Sequence, residues 1–495
     1  MGKSPDILMV AEGTYPFVRG GVSSWIHQLI TGLNEFTFGV VFLGSRREDY
    51  GDIKYELPEN LIYLTTEYLF DEEELPKPHP IEKRKKLFKQ LEKIHFLLKE
   101  GEIPEELLNV KTYLRQITEE EFLYGRTSWE FITDLYLKLA RDNPFVSYFW
   151  TVRNIHLPVW RVTRLAAKIP KAGLIHSPST GYAGFLSSLM GKKWKRPFIL
   201  TEHGIYTRER KIDILISDLI NEERFFFQKE YGEVGHIKEL WINFFLLLGK
   251  LSYVAADRII SLYEDARQIQ IKLGAPPEKT EVIPNGIKVE QYIEARKRNV
   301  KAPPIIALIG RVVPIKDIKT FIKAMRIVAA KLPEVEGWIV GPTDEDPEYY
   351  EECKKLVNVL RLEKNVKFLG FRNVKEILAS VRLTTLTSIS EGMPLVVLES
   401  FAAGVPCVAT DVGACRQLIY GGVSEEDKKL GKAGEVVSVA SPGETAENYI
   451  KFLTNREEWE RARKAAVERV EKFYSYQQFL ESYRKLYRRF LNWPE

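Results

Sequence analysis

Two carboxylates frame the stretch 388–401, SISEGMPLVVLESF. Glu391 stands in a polar loop with Ser388 and Gly392, and Glu399 lies within the apolar run opened by Pro394. The run reads as a helix, and Pro394 suits its first turn, where the missing N–H is not needed. The first turn of a helix has free N–H groups and positive partial charge. Acids near it can be simple caps. Alternatively, the N–H groups after Gly392, Met393, Pro394, Leu395 and Val396 receive a phosphate, and the acids bind something else. A carboxylate accepts paired sugar hydroxyls well but repels phosphate. The ligand that fits carries both, a diphosphate on the helix N-terminus with sugars on either side. In that reading Glu391, before the turn, faces the open cleft, and Glu399, inside the helix, reaches back to the same ligand.

Two cations stand in a comparable place in GRVVPIKDIKTF, residues 310–321. Arg311 and Lys316 follow an apolar strand-like run and precede a helix. Both can aim at one anion, the guanidinium as a fork and the ammonium as a point charge. The competing reading is two solvated surface cations. Gly20-Gly21 leads directly into another helix, where glycine lets a ligand approach the backbone and its N–H groups. The competing reading there is a tight turn. His203 and His176 each end a strand-like run, a position compatible with a ligand or with a hydrogen-bonded core histidine. His27 is expected on the surface of the first helix.

Side chains placed this way need strands that end at one edge and helices that start there. The chain supplies that rhythm. DILMVAE (6–12), VSSWIHQLITGL (22–33) and FTFGVVFL (36–43) read as strand, helix, strand. The strands are short continuous apolar runs, the mark of a parallel sheet covered on both faces. From about 66 to 165 the chain turns charge-rich and helical, with the run 81–100 read as a solvated face. The rhythm resumes at 172–179, 197–204 and 256–262, and closes near EVIPNGI (281–287). A second series starts at 304 and passes through 336–342, 365–371, 384–390 and 406–413. The fold class is α/β, two tandem doubly wound Rossmann-like domains with a helical insertion in the first. The expected division is 1–290, 300–470 and a C-terminal helix, 471–495, crossing back to the first domain.

Bulk properties agree with a small-molecule enzyme. Apolar residues are 45% of the 495, enough for ordinary burial, and the length calls for more than one core. A formal charge of +4 argues against a nucleic-acid partner. Three cysteines, Cys353, Cys407 and Cys415, have no metal-binding spacing and point to a reducing compartment. The stretch 241–256, WINFFLLLGKLSYVAA, is broken by Lys250 and reads as a buried helix rather than a membrane span. The expectation is a soluble, cytoplasmic protein.

The E-x7-E pair Glu391/Glu399, Gly20-Gly21, TEHG (201–204), VIPNGI (282–287) and the GR…K pair resemble the family 4 glycosyltransferases, retaining enzymes of GT-B fold. The opening EGTYPFVRGGVSSWIHQLI, the insertion and HSPSTGYAG…TEHGIYTRERKIDI resemble the PelF-type branch, transferases of Pel-like exopolysaccharide synthesis. The resemblance implies that Arg311 and Lys316 hold the diphosphate as leaving group. Glu399 would hold the ribose hydroxyls, Glu391 the donor sugar, and Gly20 and Gly21 the phosphates. His203 would stand beside the reacting carbon, and Asn285, Phe371 and Arg372 would join the binding set. It implies a UDP-hexose donor, UDP-glucose above all, a glycan acceptor, no required metal or cofactor, and docking on a membrane polysaccharide-synthesis complex. DVGACRQLI (411–419) departs from the pattern with Ala414 and Gln417, and Cys415 reads as structural. A UDP-sugar epimerase of the same fold and a non-catalytic nucleotide-sugar sensor are the competing functions. Among these, only a transferase needs an acceptor.

Overall fold

The computed structural model describes residues 4–71, 88, 89, 92, 118–216 and 235–492. The chain divides into two compact units: Met1–Ser261 with Arg267–Val282 and Arg484–Glu495, and Leu262–Ala266 with Ile283–Tyr483.

The first unit is built on strands β1 (Ile7–Glu12), β2 (Phe38–Gly44), β3 (Leu61–Tyr68), β4 (Leu174–Ser177), β5 (Phe198–Glu202), β6 (Arg258–Ser261) and β7 (Thr280–Val282). They pair in parallel in the order β3-β2-β1-β4-β5-β6-β7. The order reverses between β1 and β4, the switch point at which doubly wound sheets open a crevice for ligands. Every residue of β2 is buried, which is why its sequence is an unbroken apolar run. The helix Gly21–Gly32 turns Trp25, Ile26, Leu29 and Ile30 to the core at helical spacing.

The second unit repeats the plan with β8 (Ile305–Ile309), β9 (Glu336–Val340), β10 (Val366–Gly370), β11 (Leu383–Leu386), β12 (Cys407–Thr410) and β13 (Gly434–Val437). The order β10-β9-β8-β11-β12-β13 places its switch point between β8 and β11. Leu308, Phe321, Met325, Ile339, Leu383 and Val408 are among its buried core. The α/β class and the two Rossmann-like domains of the sequence reading are thus present.

Two strands had no counterpart in that reading. β3 is a half-exposed edge strand with polar residues, so it lacks the continuous apolar signature; it runs to Tyr68, past the expected start of the insertion near 66. β13 is short and begins with a glycine. Within the insertion, residues 119–165 are helical as expected, apart from breaks at 125 and 140–144. Thr118 opens the helix Glu119–Tyr124 with a capping box, its hydroxyl accepting from the Glu121 N–H at 3.2 Å and the Glu121 carboxylate accepting from the Thr118 N–H at 2.8 Å. Longer helices follow at Arg126–Leu139 and Phe145–Lys168. The remainder, 72–117 with the charged run 81–100, lies outside the described residues except for 88, 89 and 92. The stretch 241–256 forms most of the helix His236–Ala255, with Leu247, Leu248 and Leu251 buried. Among the described residues no helix is long and apolar enough to cross a membrane.

Candidate functional site

At the switch point of the second unit two loops are tied together. Between β8 and the helix Ile318–Lys331, the chain makes a tight turn at Pro314–Lys316, and Asp317 then caps the helix by accepting from the Thr320 N–H at 3.2 Å. After β11, the Thr387 hydroxyl donates to the Lys316 and Asp317 carbonyls at 2.9 and 3.0 Å, and the Ile389 N–H donates to the Ile315 carbonyl at 2.9 Å. That stitching brings Lys316 to Glu391: Nζ and Oε1 are 2.5 Å apart, and the Ser388 hydroxyl donates to the same oxygen at 2.5 Å. Both side chains are largely shielded, 20% and 12% exposed, so the pair is held in place rather than solvated.

The helix Leu395–Ala402 starts directly after this loop. Pro394 occupies its N-cap, no side chain caps it, and its first turn holds no acid. Glu391 and Glu399 are therefore not caps. The opening is fixed from behind by the loop after β12. The Ala414 N–H donates to the Gly392 carbonyl at 2.8 Å. At Gly413 φ is +54°, and an added Cβ would lie 2.2 Å from that same carbonyl, so only glycine fits. Ala414 and Cys415 are buried. Gln417 accepts from the Glu264 N–H and donates to the Tyr474 hydroxyl, both at 3.3 Å. The departures in this loop thus serve packing. The Met393 sulfur accepts the Asn285 N–H at 3.3 Å, and the Asn285 side chain is buried with its Oδ1 unpartnered.

The cations have different side-chain partners: Arg311 reaches Glu345, on the loop after β9, at 2.5 Å, in an exposed pair, while Lys316 holds Glu391. Glu391 does not stand free but belongs to the Lys316–Ser388 cluster. Glu399 also has a partner the sequence reading missed, the Tyr292 hydroxyl, which donates to its Oε1 at 2.9 Å. Burial raises the Glu399 carboxyl above the ordinary glutamate range, opposed by Tyr292 and by the Lys375 charge. Phe371 is 79% exposed, an unusual position for a large apolar ring, and Arg372 beside it is exposed.

In the first unit, Gly20 and Gly21 are exposed, and an added Cβ at either would meet nothing within 4 Å. Packing gives no reason for a glycine pair there. At the switch point the helix Tyr182–Trp194 begins, and its first turn is already occupied: Glu12 Oε2 accepts the Ala183 N–H at 3.0 Å. Glu12 Oε1 accepts from the Tyr206 hydroxyl at 2.8 Å, which itself accepts from Arg210 Nε at 3.2 Å. His203 follows β5. Its ring meets Trp25 edge-on at 4.6 Å, and its Nε2 is buried without a hydrogen-bond partner. Burial lowers its pKa to about 3, so the ring is neutral at physiological pH. The preceding Glu202 is buried and takes donors from Thr180 at 3.3 Å, Tyr253 at 2.7 Å and Gln270 at 3.0 Å; burial lifts its pKa to about 7. His176 is a core residue, its two nitrogens bonded to Tyr487 and Thr201 at 2.8 Å each. His27 is half-buried between the rings of Tyr15 and Tyr55, not on the open surface. All three cysteines are free and buried.

The family described as a domain of unknown function, DUF3492, matches residues 5–278, more than half of the chain. The chain belongs to this family. After its DUF3492 portion, residues 290–469 match the glycosyl transferases group 1 domain. The Escherichia coli UDP-Gal:alpha-D-GlcNAc-diphosphoundecaprenol alpha-1,3-galactosyltransferase is 30% identical over 176 residues, 33% of this chain and 44% of that protein. The D-inositol 3-phosphate glycosyltransferase of Kribbella flavida is 29% identical over 195 residues, 36% and 46% of the two chains. The chain thus spans under half the length of these two curated relatives. Among solved structures, Anabaena HepE in complex with UDP and glucose superposes with a TM-score of 0.60 at 16% identity, covering 97% of this chain and 99% of that one. Sucrose-phosphate synthase from Thermosynechococcus elongatus does so with 0.58 at 16% identity, covering 98% and 99%. At that identity the likeness shows the fold, which is that of the GT-B proteins.

Proposed function

We propose that this DUF3492 protein is a retaining hexosyltransferase that moves a sugar from UDP-hexose, UDP-glucose above all, to a growing glycan, in a Pel-like exopolysaccharide role. The observation that carries the reading is the uncapped N-terminus of the helix Leu395–Ala402 beside the shielded Lys316–Glu391–Ser388 cluster. Free N–H groups and a fixed ammonium suit a diphosphate. Glu391 in the same cluster suits the hydroxyls of the donor sugar, and Glu399 with Tyr292 suits the ribose. The relatives support the ligand class, since one is named for a UDP-Gal donor and HepE was crystallised with UDP and glucose.

In the proposed reaction an acceptor hydroxyl attacks the anomeric carbon on the face from which the diphosphate departs. The C–O bond to the diphosphate breaks with its electron pair on the phosphate oxygen, and the acceptor proton passes to that oxygen. Negative charge grows on the leaving group, where Lys316, Arg311 released from Glu345, and the helix N–H groups stabilise it. His203 in the first unit is neutral, with its buried Nε2 lacking a hydrogen-bond partner. These side chains supply the charge that a metal ion provides in other transferases, and the reading needs none. The test is turnover of UDP-glucose in excess EDTA, followed by proton NMR of the product. UDP release with an α-linked product is expected. An epimerised nucleotide sugar, binding without turnover, or turnover only after Mg²⁺ or Mn²⁺ is restored contradicts it.

A further inference from the structure

At the start of the second unit, the segment 285–299 straps the helix Leu395–Ala402 along its length. The Asn285 N–H reaches the Met393 sulfur just before the helix at 3.3 Å. At the far end, Arg296 donates to the Ala402 carbonyl through Nε at 3.0 Å and Nη2 at 2.9 Å, and Asn299 Nδ2 donates to the Ala403 carbonyl at 2.7 Å. Those bonds end on a packed sulfur and on backbone carbonyls, so they hold the helix itself. Tyr292, the last residue of the short turn Val289–Tyr292, does something else. Its buried ring carries the hydroxyl to a side chain, and it donates to Glu399 Oε1 at 2.9 Å. Glu399 Oε2 has no hydrogen-bond donor among the described residues. Burial works against the charged form of this carboxylate, while the Tyr292 donor and then the Lys375 charge work for it. Lys375 sits on the helix Val374–Leu378, with its ammonium 5.9 Å from the centre of the Tyr292 ring. Other cations on elements around the helix are spent elsewhere. Arg296 also pairs with Glu471, Arg463 donates to Asn299 and to two carbonyls, and Arg416 pairs with Asp411.

We propose that Tyr292 is a positioning residue for the nucleotide: its hydroxyl fixes the plane of the Glu399 carboxylate, so that Oε2 and the open side of Oε1 meet the two adjacent ribose hydroxyls. The proposal rests on the transferase reading, in which Glu399 serves the ribose, and adds the residue that readies it. An ionised carboxylate has about four acceptor sites, so one donor from the protein leaves room for a vicinal diol. A carboxylate whose orientation is set before the ligand arrives loses less freedom on binding. The helix is already tied at both ends by Asn285, Arg296 and Asn299, so the Tyr292 bond is spent on the carboxylate rather than on the helix. Tyr292 touches no reacting atom and acts only through Glu399. A nucleotide without the ribose hydroxyls gains nothing from it, which separates this role from packing.

The test is calorimetric titration of the full chain with UDP and with 2′,3′-dideoxy-UDP, in the wild type and in Tyr292→Phe, which keeps the ring and removes the hydroxyl. The wild type is expected to favour UDP by about tenfold or more, the weight of a charge-assisted hydrogen bond. In Tyr292→Phe, UDP is expected to weaken about fivefold while the dideoxy nucleotide stays within about twofold, so the margin between them narrows. An unchanged margin, an equal loss for both nucleotides, or a Tyr292→Phe chain that fails to fold makes the hydroxyl a packing contact. Each of these overturns the proposal and leaves the transferase reading standing. Equal wild-type affinity for the two nucleotides removes the ribose role of Glu399 and the proposal with it. Absence of UDP binding to the wild type removes the transferase reading and the proposal together.

Discussion

The two units run the same strand order to a switch point and start a helix there, yet they use it in opposite ways. In the first, Glu12 at the end of β1 occupies the helix N-terminus through the Ala183 N–H and is held there by Tyr206. The anion seat is filled by the chain itself. In the second, the helix Leu395–Ala402 has neither an acid in its first turn nor a capping side chain, and a lysine stands beside it with Glu391 and Ser388. Two helices start at each switch point: in the first unit Glu12 closes the one after β4 while the one after β1, Gly21–Gly32, has no side-chain cap, and in the second unit the one after β11 is open. On the proposed reading the nucleotide belongs to the second unit.

Breaking the comparison at its strongest point means removing the cations. Arg311→Ala and Lys316→Ala are each expected to lower turnover by about 10²–10³, as when a donor to a developing oxyanion is lost. Circular dichroism should show the fold retained, with the larger fall in Tm for Lys316→Ala, because Glu391 then keeps only Ser388. Glu12→Ala should do the reverse. It leaves the Ala183 N–H and the Tyr206 hydroxyl unsatisfied and costs about 1–3 kcal/mol of stability. Near wild-type turnover in both cation variants would move the leaving group elsewhere.

The two acids sharpen the assignment within the second unit. Glu399→Gln should weaken UDP by about 1.5–3 kcal/mol, since a charged acceptor for the ribose becomes neutral. Glu391→Gln should damage UDP-hexose binding more than UDP binding. Titration calorimetry of both variants with both ligands separates them. Equal losses for UDP and UDP-hexose in each variant would contradict the split.

Much of this was legible in the sequence because parallel strands buried on both faces must be apolar runs. β1, β2, β8 and β12 announce themselves, and the loops after them carry the glycines and charges. Arg311, Lys316, Glu391 and Gly392 stand where the sequence reading puts them, at strand ends before helices. Their partners were not legible. Glu345, Tyr292 and Glu12 lie 34, 107 and 171 residues from the groups they engage, and no local pattern encodes such pairings. Glu12 did carry one signal, its place as the last residue of β1. Edge strands β3 and β13 escaped because half-exposed or short strands lack the buried signature. His176 and His203 looked alike in sequence and differ only in tertiary bonding.

A smaller effect concerns the first unit and pH. Glu202 has its folded pKa raised to about 7, from an ordinary 4.5, by burial. The folded state therefore binds the extra proton more readily than the unfolded chain. This contribution is full below about pH 4.5 and is lost as pH rises through about 7, at most a few kcal/mol. Urea unfolding between pH 5 and 8 should show stability falling with pH in the wild type and a flatter profile in Glu202→Gln. Parallel profiles would mean that the Thr180, Tyr253 and Gln270 hydrogen bonds hold Glu202 ionised throughout.

The central claim, that the open helix of the second unit seats a diphosphate, is tested most directly by calorimetric titration of UDP and uridine. The wild type should bind UDP at least about a hundredfold more tightly than uridine, since the phosphate contacts are charge-assisted. Lys316→Ala should lose most of that margin, and Glu12→Ala should keep UDP affinity within about twofold of wild type. Equal affinity for UDP and uridine, or UDP binding lost in Glu12→Ala and kept in Lys316→Ala, would contradict the account.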